Sequence, residues 1–150
     1  MLGRTAFRLI VMMFVMMMLV TTYVGFAFGQ DGLQNYFNDT SLKVKAATDP
    51  LQKREILNKS FENMSKALDR VENSGLISKH DQAGIALIKS TLQEKQDELT
   101  GINGYDRVGD KQLDAFSDYV VQDMEQAVQT VTISLVALLL IIIIVILVAT

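Results

Sequence analysis

The stretch 131-VTISLVALLLIIIIVILVAT-150 decides how the rest of the chain is read. From Val131 to Ala149 its 19 residues carry no charge, and the only polar side chains are Thr132 and Ser134. As a single helix it would be roughly 28 Å long, close to the hydrocarbon core of a bilayer. A helix in a soluble core keeps a polar face, and the run Leu138 to Val148 is aliphatic on every side. In lipid the backbone must bond to itself, so helix is the single-chain solution even for β-branched residues. The two hydroxyls can bond back to carbonyls one turn earlier. The sequence therefore predicts a C-terminal transmembrane helix over 131–149, with the working part of the protein on its N-terminal side.

Working outward, 150 residues leave room for one small domain once apolar segments are set aside. Arg4 and Arg8 lie at the start, so residues 30–130 hold 12 of the 14 Lys and Arg against all 17 Asp and Glu, a net charge of −5. That balance provides no basic patch for nucleic acid and no polybasic arm for anionic lipid. The chain has no cysteine, which excludes disulfides, thiolate metal sites, lipoprotein acylation and cysteine nucleophiles together. One proline and no tryptophan fit a mainly helical protein.

Residues 1–29 have two readings. Arg4 and Arg8, the apolar run Leu9–Val20 and small residues at Gly25, Ala27 and Gly29 make a cleavable signal peptide. Leu9–Gly29 is equally long enough to span, with Tyr23, Phe26 and Phe28 as an interfacial belt. Both readings hold the N-terminus in the cytoplasm and send 30–130 to the extracytoplasmic side, periplasmic, extracellular or lumenal. The expected localisation is thus a single-pass or two-pass membrane protein.

Between the apolar ends the pattern is helical. Leu33, Phe37, Val44 and Ala47 share a face over 31–47, interrupted by Thr40. Asp49 and Pro50 are a cap and first-turn pair, with Gln52 completing a variant capping box. Leu57, Phe61, Met64, Leu68 and Val71 then repeat at heptad spacing to a C-cap at Gly75. Ser78 and Asp81 start a third helix that ends at Gly101, and its seam Ile85, Ile88, Leu92 and Leu99 admits one polar intruder, Lys95. After the glycine-rich loop 101–110, Leu113, Phe116, Val120, Met124, Ala127 and Val131 carry a stripe into the apolar stretch, with no glycine or proline after Asp110. The expected fold is all-α: a small antiparallel bundle of four helices, or three with the first segment unstructured. Its last helix runs unbroken for about 40 residues, roughly 60 Å, into the membrane.

Chemistry-bearing groups are sparse. His80 is the only histidine and sits at a helix start as an ordinary surface residue, so a zinc site of usual composition cannot be built. The glycines at 101, 104 and 109 lack the lysine of a phosphate loop and read as a helix-to-helix turn. Asp106, Asp110, Asp114 and Asp118 recur every four residues, and the last three share a helix face. Repeated like charge at that spacing is mildly destabilising, which marks Asp110, Asp114 and Asp118 as a candidate docking strip for a basic partner or a weak divalent-cation site, against a solvated acidic face. Lys95 and Thr40 are the candidate buried polar groups. Asn38, Asn58 and Asn63 each begin a glycosylation sequon.

A helical bundle between two apolar segments is similar in layout to the extracytoplasmic ligand-binding part of bacterial four-helix-bundle chemoreceptors and sensor kinases. The likeness is architectural and transfers no residue, and a receptor's cytoplasmic signalling domain is not expected after Thr150. The sequence thus predicts a non-enzymatic, membrane-anchored interaction protein without cofactor or metal, an accessory or scaffold subunit. Its partners would be the lipid bilayer and either another membrane protein or further copies of itself, with no nucleic acid. The alternative is a minimal sensory or ligand-binding module signalling through its last helix.

Overall fold

A computed structural model describes residues 32–131 and 133–149, and all their regular elements are helical. The signal-peptide or anchor segment 1–29 lies outside the described residues. The elements are α1 (32–46), α2 (Pro50–Glu72), α3 (Lys79–Thr100), a 3-10 turn (Asp110–Gln112), α4 (Leu113–Thr130) and α5 (Leu135–Ala149).

The first four helices form an up-down-up-down bundle, set by the heptad seams. Cross-helix partners fix the directions. Tyr36 Oη donates to the Ser60 carbonyl at 2.8 Å, Lys89 pairs with Asp69 and Glu72, and Lys95 with Asp123. Ser41 and Ser117 hydroxyls meet at 3.0 Å between α1 and α4. Leu33, Phe37, Leu57, Phe61, Met64, Leu68, Ile85, Ile88, Leu113 and Met124 are fully or nearly fully buried in one core. The arrangement has four bundle helices, with the first one ordered and packed.

The caps hold the helices where the sequence marks them, with two differences. Asp49 caps α2 by accepting the Leu51 N–H at 3.1 Å, and no reciprocal bond from Gln52 occurs among the described residues. The C-cap of α2 is Asn73 in right-handed geometry, and Gly75 takes its φ of +73° two residues later, inside the turn to α3. Gly101 does cap α3 in the left-handed region. A Cβ there would stand 2.7 Å from the Arg107 backbone nitrogen, so the loop's closure needs glycine.

The unbroken helix expected from Asp110 to Ala149 does not form. Helix α4 ends at Thr130, Val131 is extended (φ −96°, ψ 142°), and α5 starts again at Leu135. Helix α5 then runs back along the bundle over α1 and α2. Ile142 seats against Gly32, while Val145 and Ile146 lie beside Tyr36, Ile56 and Lys59. Two effects compete here. Continuing the helix would keep a few backbone hydrogen bonds, each worth about 1 kcal/mol net. Folding back buries Leu138, Ile141, Ile142 and Val145, at about 2 kcal/mol for each side chain. In water the second effect wins, and the Ser134 N–H lost to the helix finds another acceptor, Asp81.

No helix among the described residues is long and apolar enough to cross a membrane. With 15 residues, α5 is roughly 22 Å long against a hydrocarbon core of about 30 Å.

Candidate functional site

Three polar clusters organise the bundle, and each is closed by partners within the chain. The first contains the acidic strip. Asp110, Asp114 and Asp118 face the neighbouring helices as well as solvent. Arg54 Nη2 is 2.7 Å from Asp110, Lys53 Nζ is 2.5 Å from Asp114, and Lys45 Nζ is 2.6 Å from Asp118, which also accepts from Ser41 at 2.9 Å. The hydrogen bonds from Lys45 and Ser41 hold the Asp118 carboxyl below the usual carboxylate range. Three basic residues from α1 and α2 therefore neutralise Asp110 on the 3-10 turn and Asp114 and Asp118 on α4, which relieves the like-charge repulsion along that strip. All three carboxylates remain roughly half exposed to solvent. Asp106 stands apart on the exposed loop.

Arg54 does more than neutralise Asp110. Largely buried, it donates to the Val108 carbonyl at 2.5 Å and to the Leu99 carbonyl at 3.4 Å. It thus fastens both ends of the glycine-rich loop to α2. Asp97 holds the loop's middle, accepting from Asn103 Nδ2 at 2.9 Å. Asn103 adopts φ +55°, which asparagine tolerates because its short side chain bonds locally. The loop is a braced helix connection.

The second cluster surrounds Lys95, whose side chain has no solvent exposure. Its Nζ lies 2.5 Å from Asp123 Oδ2, 2.8 Å from Glu98 Oε1, and 3.8 Å from the centre of the Tyr119 ring. Burial lowers the pKa of the ammonium, but the bonds to Asp123 and Glu98, helped by Tyr119, outweigh it and hold the group above the ordinary lysine value. Lys95 remains a cation in the core, and its two carboxylates join α3 to α4. The other candidate polar group, Thr40, is buried and shares a 2.8 Å hydrogen bond with Ser60 while donating to the Tyr36 carbonyl.

The third cluster fastens α5. Asp81 Oδ1 accepts the Ser134 N–H at 2.8 Å, and Oδ2 accepts the Ser134 hydroxyl at 2.6 Å. Ser134 Oγ in turn accepts the Ala137 N–H at 3.2 Å, capping α5. Burial pushes the Asp81 carboxyl up, yet the two Ser134 bonds, with Ser78 and the neighbouring His80, bring it net below its usual value. His80 itself is exposed. Sequence reading assigns Asp81 only to the start of α3 and sends the Ser134 hydroxyl to its own helix. The available signal was that Ser134 sits just before an aliphatic run, where a side-chain cap would start a helix.

A cavity of about 140 Å³ lies between α1 and α4, lined by Leu33, Phe37, Val121, Met124 and Val128 with Gln34, Glu125 and Gln129 at its edge. It touches neither Lys95 nor the acidic strip. Among the described residues no group of three or more His, Asp or Glu could hold a metal ion, and no buried side-chain nitrogen or oxygen lacks a hydrogen-bond partner. Asn38, Asn58 and Asn63 all lie within helices and are half-buried.

Compared with known protein families, curated proteins and solved structures, the chain matches none.

Proposed function

We propose that the protein is a non-enzymatic, membrane-anchored interaction module, an accessory or scaffold subunit that holds a membrane-protein partner or further copies of itself. One observation carries this reading. Residues 131–149 are free of charge, and α5 presents exposed Val136, Ile143 and Ile146 outward from a bundle whose polar clusters are satisfied internally. Exposed aliphatic surface beside saturated polar surface favours a role in association over one in chemistry. In this reading the apolar ends 1–29 and 131–149 attach the chain to the bilayer, with 30–130 on the extracytoplasmic side. In-membrane crosslinking of a tagged, natively expressed chain, read by mass spectrometry, tests it. One dominant membrane partner, or links between copies, is expected; recovery outside the membrane fraction without either contradicts it.

A sensory module is the second reading, and the Lys95 cluster favours it. A buried cation held between α3 and α4 by Glu98 and Asp123 is a coupling that a ligand could bias. The discriminating observation is a small-molecule-dependent rise in melting temperature that Asp123→Asn removes.

A further inference from the structure

Helix α5 is apolar on both faces. Among the described residues, Ala137, Leu138, Ile141 and Val145 are buried against the bundle on one face, whereas Val136, Ile143 and Ile146 are 53–60 % exposed on the other. An amphipathic surface helix turns charge outward; α5 has none to turn. Its outward face matches a hydrocarbon environment better than water, and no charge in 131–149 opposes entry into one.

The docked state also has a specific fastening. Gly32 and Gly84 leave room for Ile142 and Ile133, and a Cβ at Gly84 would stand 2.6 Å from Ile133. The polar fastening is the pair of bonds from Ser134 to Asp81. Those bonds sit where Val131, Ile133 and Ser134 lie outside helix, a break that keeps α5 too short to span. Released into lipid, the Ser134 N–H must find an acceptor in its own helix. That restores a helix over 131–149 of roughly 28 Å, the length of a bilayer core.

From this we propose that α5 is a stowed membrane-inserting arm. Its outward face takes the acyl interior of a bilayer as partner, and the Asp81–Ser134 clasp is the latch that keeps it docked. The proposal rests on the membrane reading above and adds a second state to it.

The chain has no tryptophan and no cysteine, which allows a clean test on the full-length protein. Ile146→Trp on the outward face supplies a single fluorescent reporter. Gly32→Cys with Ile142→Cys supplies a single disulfide that staples α5 down, and removing the Ile142 side chain clears the atoms a Cβ at position 32 would meet. The reporter chain is mixed with phosphatidylcholine vesicles carrying bromines deep in the acyl chains. Asp81→Ala and, independently, Ser134→Ala should raise the inserted-to-docked ratio read by quenching roughly tenfold, the scale of losing a hydrogen bond to a carboxylate. The oxidised staple should abolish quenching, and reduction should restore it. Equal quenching in latch-intact, released and oxidised chains would overturn the latch while leaving the membrane reading standing. No quenching from a chain that floats with the vesicles would overturn the arm, with attachment assigned to residues 1–29. A chain that does not float at all sinks both.

Discussion

The four-helix bundle and α5 obey different rules although both are helical. Each bundle helix carries a heptad seam and a polar back, so its pattern states which face turns inward. Pairs such as Arg54–Asp110 and Lys95–Asp123 then fix which helices are neighbours. Helix α5 has no back. Nothing in its pattern chooses an inward face, and its position is set by what it meets: the apolar surface of α1 and α2, two glycines and one carboxylate. A patterned helix specifies its own place, whereas an unpatterned apolar helix takes its place from its surroundings.

The largest expected contrast comes from placing a charge in each region. Leu68→Asp puts an unpaired carboxylate into the core and should remove cooperative melting, since several kcal/mol is a large share of a total of about 5–15 kcal/mol. Ile143→Asp, on the outward face of α5, should leave melting in lipid-free buffer within about 0.5 kcal/mol. Circular dichroism melts of the two variants read the difference directly. If both collapse, α5 is not a half-exposed helix.

Next in size is the Lys95 cluster. Lys95→Ala strands Glu98 and Asp123 against each other and should cost about 3 kcal/mol in urea unfolding. Lys95→Met keeps the packing of the stem and should fall between that variant and the parent. A neutral effect of Lys95→Ala would mean the cation does not join α3 to α4.

Acid and alkali should act on the two regions differently. Asp81 is held below its usual value of 3.8, so the clasp contributes fully above that value and is lost as pH falls through the depressed pKa. Asp118 behaves alike within the bundle. Lys95 and Lys89 are raised above 10.5, so their contribution is full below that value and is lost as pH climbs through the raised pKa. Stability should be flat between those ranges and fall on both sides. Asp81→Asn should shrink the acid limb and leave the alkaline limb alone. The smallest effect belongs to Lys45→Ala, which removes an exposed pair with Asp118 and should cost under about 1 kcal/mol.

How much of this was legible in the sequence follows the same division. The seams of α2, α3 and α4, the Asp49 and Ser78 caps and the Gly101 cap could be read because period and capping chemistry are local. The acidic strip was visible as a spacing. Its cations Lys45, Lys53 and Arg54 were not, because they come from other helices at separations that leave no local pattern. Lys95 stood out as an intruder on an apolar seam, but its carboxylate Asp123 lies 28 residues away on α4. The break before α5 was least legible. No glycine or proline marks it, and it depends on Asp81, 53 residues earlier, accepting the Ser134 N–H.

The central claim is that, in water, α5 turns back along the bundle instead of prolonging α4. The most direct test is a pulsed electron-spin distance between labels at Lys59 and Ile146 in lipid-free buffer. A docked α5 puts the two backbones about one helix spacing apart, roughly 10 Å before the labels' own reach is added. Lys53 pairs with Asp114, which sets Lys59 level with about position 120 of α4. An unbroken helix would carry position 146 roughly 40 Å further along its axis, and a distance distribution centred there would contradict the account.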